Sequence, residues 1–492
     1  MLLASIPYVW AWVSGGETHV FVGLLLNPLD GATYLAKMYQ GYRGDWVFTL
    51  PYTADSGPGV YLLNTLYILL GHIARWTGLS LPLVYNLARV FSGFVLLVAL
   101  AQAMDRMLPS ASRKLAFVLA ALGSGMGWIP FVAGQITSDI WVAEAYPFLS
   151  MYANVHFPLG LAMILWLIMP CARGGAWKYA GMAFLLAVVS PFGVVIALLP
   201  LAGMWLDTTI SIVREVGITR DELVALWKRE ETRKLLAVVL GGLPVIIYAW
   251  VVIRSHPVLS LWDAQNITAN PPWWDLLVSF SPVLFLAVIG VRAVLRGDVP
   301  NARPLMWWVG LGILLVAIPF SLQRRFLMGV FIPLAGLGAV GLMSWAGSRK
   351  RVSRRLTVLL VVLILPTQLI VLMTSVFAVT TRAPQMYLTR DEADALAWIE
   401  TNTPSDVIVL AMPETGAFIP AFTGRRVQYG HPFETVNAEV QAARVRDFFA
   451  DPARYPLDGD YVFAGPREGE FPVPDAWNIV YEKGDVVVYR VR

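Results

Sequence analysis

Ten stretches of this chain are almost free of charge and long enough, singly or in pairs, to cross a lipid bilayer. They are 81–103, 115–132, 157–171, 179–189, 194–206, 235–253, 276–295, 305–322, 326–345 and 356–376. A helix needs about 20 apolar residues to span the hydrocarbon core. The two short runs 179–189 and 194–206 meet at Ser190-Pro191-Phe192-Gly193. Proline and glycine there predict a helix hairpin turning at a surface. The chain is 14% charged, well below the ~25% of a soluble domain. The first run, 2–13, is shorter than a span and has neither a basic n-region nor a small-residue cleavage site. It reads as a truncated first span or a short re-entrant segment. Run 61–73 carries Asn64, Gly71 and His72, so it reads as an amphipathic helix in the interface. The expectation is a polytopic α-helical membrane protein of about 11 spans with a C-terminal soluble α/β domain.

Charge orients the spans. The basic loops near 106–114, 173–178, 214–234, 292–303 and 349–355 fall on one side, which the positive-inside rule makes cytoplasmic. The N-terminus is then cytoplasmic and the C-terminal domain extracytoplasmic, on a cell inner or plasma membrane. Segments 14–80, 134–156, the Ser190 turn, 254–275, the Arg324-Arg325 turn and everything after Ala378 face outward. The charged segment 210–234 reads as a solvated interfacial helix. Basic charge spent in short loops argues against nucleic acid as a partner. The single Cys171 excludes an internal disulfide.

Composition changes near Thr381. The expected domains are 1–380, a membrane domain with interfacial helices in 14–80, and 381–492, an outward α/β domain. Within the latter, 390–401 and 437–449 have helical periodicity, while 406–411, 460–464, 478–482 and 485–491 read as strands.

Candidate chemistry lies in the outward segments. If a helix starts after Asp30, then Asp30, Tyr34, Lys37 and Gly41 share one face. Asp30 is a good N-cap, or alternatively a general base or metal ligand at the membrane boundary. The aromatic-rich loop with Asp139 and Glu144 reads as packing into a wall, with either acid a candidate ligand. His156 reads as an interfacial histidine. Arg324 and Arg325 interrupt two apolar runs. They either snorkel to headgroups or capture phosphate, which a guanidinium fork matches. No P-loop, dinucleotide fingerprint, HExxH or Gly-x-Ser-x-Gly motif is present, so no nucleotide cofactor is expected.

Together these features resemble the GT-C superfamily of integral-membrane glycosyltransferases. They are Asp30 early in a long first outer loop, interfacial helices over 30–42 and 58–76, and an arginine-bearing span at Tyr85-Asn86-Leu87-Ala88-Arg89. A second acidic loop, the Ser190-Pro191 hairpin and the turn Pro319 to Phe326 follow. The segments Gly424-Arg425-Arg426-Val427 and Gly430-His431-Pro432-Phe433-Glu434-Thr435 resemble outward domains of bacterial GT-C-like proteins. The resemblance implies inverting sugar transfer from a polyprenyl-phosphate-linked donor to a lipid, glycan or protein acceptor. Asp30 would be the base, and Asp139 and Glu144 would orient sugar hydroxyls or complete a Mg²⁺ or Mn²⁺ site with it. Arg324, Arg325 and, secondarily, Lys37 would hold phosphate. Tyr34, Arg89 and His156 join the substrate-binding set, and His431 and Glu434 would shape the acceptor entrance. Asp30 stands alone where the superfamily often has Asp-x-Asp or Glu-x-Asp, which leaves metal dependence open. The rival readings are a transporter or lipid flippase and a catalytically silent GT-C scaffold.

Overall fold

The computed structural model describes residues 1–170, 175–215, 226–227, 229–319, 321–347 and 349–491. Cys171, Arg173, Arg220, Lys228, Phe320 and part of the expected 210–234 helix lie outside the described residues. The protein is mostly helical. Among the described residues five helices are long and apolar enough to cross a membrane: Leu81–Met107, Pro191–Arg214, Glu230–Ser255, Gln323–Ala346 and Arg351–Thr380. A sixth span results if Trp273–Phe280 and Val283–Leu295, bent by 77°, count together. The expected hairpin break is present, with Ala176–Val189 ending and Pro191–Glu215 starting on either side of Ser190.

The chain forms two compact units. The first holds Met1, Arg89–Tyr248 and Thr268–Thr374. Its centre is Phe331–Ala346, whose residues through Leu342 are all buried and which packs against Val283–Leu295 and Ser110–Leu122.

The second unit holds Leu2–Ala88, Ala249–Ile267 and Ser375–Arg492. Its helices Pro28–Arg43 and Thr65–Thr77 cross closely. A Cβ on Gly41 would fall 1.9 Å from the Ile68 carbonyl oxygen, and one on Gly71 would fall 1.8 Å from that of Met38. The backbones touch, so only glycine fits at the crossing. Helix Thr65–Thr77 overlaps the run 61–73 that sequence reads as a helix.

Among the described residues two sheets belong to this unit. Strands β1 (His19–Phe21) and β2 (Tyr387–Thr389) pair antiparallel. The five-stranded sheet contains β3 (Ile408–Leu410), β4 (Arg426–Val427), β5 (Tyr461–Ala464), β6 (Asn478–Lys483) and β7 (Val486–Arg490), in the order β4-β3-β5-β7-β6. Strand β3 runs parallel to β4 and β5, and β7 is antiparallel to β5 and β6. Helix Ala438–Ala450 covers one face, burying Val445, Phe448 and Phe449 with Leu410 and Val462. Helix Arg390–Asn402 starts in a capping box: the Thr389 hydroxyl accepts from the Glu392 N–H, and the Glu392 carboxylate accepts from the Thr389 N–H.

Beside this sheet, buried Glu468 accepts the N–H groups of Met412 at 3.2 Å and Gly465 at 3.0 Å. Burial pushes its pKa up from 4.5 to about 7, partly opposed by those hydrogen bonds. The folded state therefore holds the proton more tightly than the unfolded chain. Stability is full below the ordinary glutamate value and falls as pH rises through the folded pKa. The expected loss is about 3 kcal/mol, read as a melting temperature that declines from mildly acidic to neutral pH. Glu468→Gln should flatten that profile, and an unchanged slope in the variant would assign the titration to another group.

Candidate functional site

In the second unit, helix Pro28–Arg43 carries the candidates on one face. Asn27, with φ 50°, is the N-cap and Pro28 is the first helical residue. Asp30 is thus in the first turn and is not the cap expected from sequence. Proline's fixed φ and missing N–H suit that first position, which moves the helix start two residues upstream of Asp30. The Asp30 carboxylate now lies at the positive end of the helix dipole, which favours its charge.

Asp30 Oδ1 is 3.2 Å from His431 Nε2. His431 Nδ1 accepts the N–H groups of Phe433 at 3.1 Å and Glu434 at 3.2 Å. Both donors point at Nδ1, so the ring proton is on Nε2 and is donated to Asp30. His431 is buried, whereas the Asp30 side chain is 52% exposed. One turn further, Tyr34 stacks on Tyr67 with ring centroids 4.5 Å apart, and Tyr85 extends the stack at 6.5 Å. Another turn along, Lys37 donates to Glu434 Oε1 at 2.7 Å, both buried. A cavity of about 320 Å³ opens beside Asp30. Pro28 and Leu29 line it on one side and Gly430 and Pro432 on the other, with Phe418, Tyr429, Arg446 and Arg467 around them.

In the first unit the structure brings together Glu144, Arg324 and Arg325. Arg324 Nε donates to Glu144 Oε1 at 3.2 Å, and Arg325 Nη1 lies 3.8 Å from the same oxygen. The Arg324 guanidinium also covers the Trp141 ring at 4.8 Å. The loop is fixed from behind, because the Glu144 carbonyl accepts from Gly329 N–H. The trio is net positive by one charge.

Asp139 is fully enclosed. Oδ2 accepts from Gly125 N–H, Gly127 N–H and Ser124 Oγ, and Oδ1 from Thr137 Oγ1 at 2.7 Å and Ser279 Oγ at 3.2 Å. Burial raises its pKa, against the pull of those donors. Asp275, which sequence did not flag, completes the network by accepting from the Ser138 N–H and Ser138 Oγ, and it shares the single Ser279 hydroxyl proton with Asp139, the Ser279 oxygen lying 2.6 Å from Asp275 and 3.2 Å from Asp139. Asp139 thereby ties its loop to two neighbours. Arg89 is buried and donates to the Met151 carbonyl. His156 is half-buried, with its ring 4.1 Å from that of Phe157.

The fold built by these elements is that of the GT-C membrane glycosyltransferases, as the resemblance implies. Solved structures sharing it include the oligosaccharyltransferase AglB of Archaeoglobus fulgidus. Its apo form matches with a TM-score of 0.53 at 12% identity, over 94% of this chain and 69% of that one. Its complex with an inhibitory peptide and a dolichol-phosphate matches at 0.50 and 13%, over the same shares. Its complex with Zn and sulfate matches at 0.50 and 15%, over 94% and 67%. No protein-family model matches the chain, and no curated protein matches it in sequence.

The residues here do not fit a divalent ion. Among the described residues no group of three His, Cys, Asp or Glu side chains gathers as a metal would require. His431 turns a proton-bearing nitrogen to Asp30, and Glu144 is engaged by arginines. The carboxylate of Asp139 is saturated by donors. Each acid of the expected metal set already meets donors of its own: Asp30 that of His431, Asp139 those of Gly125 and Gly127, and Glu144 that of Arg324.

Proposed function

We propose that this membrane protein transfers a sugar from a polyprenyl-phosphate-linked donor to an acceptor, with inversion at the anomeric carbon. The observation that carries this reading is the exposed Asp30 carboxylate, oriented by a buried histidine, with the chain neighbours of both residues lining a cavity, in a protein with the AglB fold. The acceptor hydroxyl or amide attacks the anomeric carbon while the bond to the phosphate oxygen breaks. The electron pair leaves on the phosphate, and the acceptor proton passes to Asp30 and then to water. Phosphate is a good leaving group without protonation, so a base and an anion holder suffice. Asp30 is the base, and the Nε2–H of His431 holds it in place. The cavity beside Asp30 is the acceptor entrance, shaped by His431 and Glu434. In this reading the C-terminal segment 381–492 faces outward.

Arg324 is the phosphate holder in this reading. It gives only Nε to Glu144, and no acceptor among the described residues takes its two Nη groups. Arg325, Tyr34, Lys37, Arg89 and His156 support the substrate path, and Asp139 and Glu144 position the loop. The binding of dolichol-phosphate and of a peptide by AglB supports a lipid-phosphate donor and a separate acceptor here. Arg324→Ala should weaken binding of polyprenyl phosphate by about 10- to 100-fold, the value of one or two charge-assisted hydrogen bonds. Glu144→Gln should leave that binding in place, since it removes a competing anion. Unchanged affinity in Arg324→Ala would strip the arginine of this role.

A further inference from the structure

The second unit contains another cavity, of about 270 Å³, whose lining is polar. One wall is the helix face Ala36, Gln40 and Arg43, and the others carry Thr49, Ser56, Ser405, Asp406 and Arg426. None of these residues belongs to the Asp30–His431 pair or to the acceptor entrance.

Its walls are fixed before any ligand arrives. The Gln40 amide donates to the Thr49 carbonyl and accepts the Thr49 N–H, both at 2.9 Å. Arg426 donates through Nη1 to the Ala54 carbonyl and through Nη2 to the Asp406 carbonyl. These bonds hold the guanidinium rigid but do not neutralise it. Among the described residues no carboxylate forms an ion pair with Arg426. Among the described residues Arg43 pairs with Asp45 alone, at 3.2 Å, where the Asp45 side chain is 45% exposed. A surface pair of this kind holds its partner weakly. Two guanidiniums therefore border one cavity with charge to spare.

The remaining lining selects among anions. Ser56, Ser405 and Thr49 offer hydroxyls, and Asp406 offers a carboxylate. A bare sulfate has nothing to donate to Asp406, and inorganic phosphate has at most one or two P–OH protons on a small ion that the carboxylate repels. A sugar bearing a carboxylate or phosphate satisfies both demands: its anion meets the arginines and its hydroxyls donate to Asp406. The cavity is somewhat below the ~300 Å³ at which drug-sized pockets begin, a size for one sugar unit rather than a chain. We infer that this cavity is a separate binding site for an anionic sugar unit, read by Arg426 and Arg43 on its charge and by Asp406 and the serines on its hydroxyls.

The test uses the purified full-length chain in detergent at low salt, with glucuronate and glucose 6-phosphate as probes, followed by calorimetry or saturation-transfer NMR. Glucose and inorganic phosphate are the controls. Both anionic sugars should bind at millimolar concentration, about tenfold more tightly than either control. Arg426→Gln should cost about tenfold or more, and Arg43→Gln, which disturbs only one exposed pair, several-fold. Ser405→Tyr, which fills the cavity from an exposed turn and leaves both arginines, should abolish binding. Asp30→Asn should leave it unchanged. Absence of binding by both anionic sugars would overturn the site. So would equal binding by inorganic phosphate, undiminished binding in folded Arg43→Gln and Ser405→Tyr, or loss of binding in Asp30→Asn. None of these results depends on sugar transfer, so the site stands or falls apart from the proposed reaction.

Discussion

Asp30→Asn should lower the turnover number for sugar transfer by about 10²–10⁴-fold, the usual worth of a general base, and leave the fold intact. The asparagine side-chain oxygen can still accept from His431 Nε2–H, so the contact that seats the helix survives. The Michaelis constant for donor should change little, because the carboxylate acts on the acceptor proton. His431→Gln should cost less, about tenfold, since it loosens the base without removing it. The assay is transfer from a panel of polyprenyl-phosphate sugars in detergent, with EDTA and with added Mg²⁺ or Mn²⁺ as separate arms. The donor sets around Asp30, Asp139 and Glu144 predict no loss in EDTA. Loss that Mg²⁺ or Mn²⁺ restores would bring a metal back to the site. Full turnover in Asp30→Asn would end its role as base. A folded wild type that turns over no donor, but moves lipid across vesicles, would favour a flippase; one that does neither would favour a silent scaffold.

Sequence periodicity made one part of this site legible. A 3.6-residue repeat places Asp30, Tyr34, Lys37 and Gly41 on one face, and that face meets His431, Tyr67, Glu434 and the Ile68 backbone. The partners were not legible as partners. His431 and Glu434 lie 401 and 397 residues from the groups they bond, and no local pattern encodes a contact at that separation. The same blindness hid the pairing of Glu144 with Arg324, though both stood out singly. It also hid Asp275, which looks like an ordinary first-turn acid until the Ser138 and Ser279 hydroxyls are seen on it. Strand β4 has two residues and too little pattern to detect. Pro282 lay inside an apolar run counted as one stretch, and there the structure bends by 77°. A proline in such a run was a usable signal. Helices Arg390–Asn402 and Ala438–Ala450 and strands β3, β5, β6 and β7 were read from sequence to within a few residues because their apolar periodicity is complete within each element.

Lys37→Met should destabilise the protein by about 3–5 kcal/mol, because it leaves Glu434 buried and charged with no counter-ion. The cost is sharpened by Glu434 Oε2, which has no hydrogen-bond partner among the described residues. Among the described residues Lys37 is the one cation paired with that carboxylate. Removing both charges is a different matter. In Lys37→Met/Glu434→Leu the pair is replaced by apolar side chains of similar volume, and most of the lost stability should return. The measurement is thermal or denaturant unfolding of the wild type, the two single variants and the double variant. A large coupling between the two changes would define a structural pair. The Asp30–His431 contact should survive in the double variant, since His431 Nδ1 is held by the backbone N–H groups of Phe433 and Glu434. That makes the double variant a clean test of Lys37 as a phosphate holder. If the ammonium only neutralises Glu434, the restored protein transfers sugar with an unchanged Michaelis constant for donor. If it also binds phosphate, stability returns but that constant rises, and Lys37 joins Arg324 on the donor path.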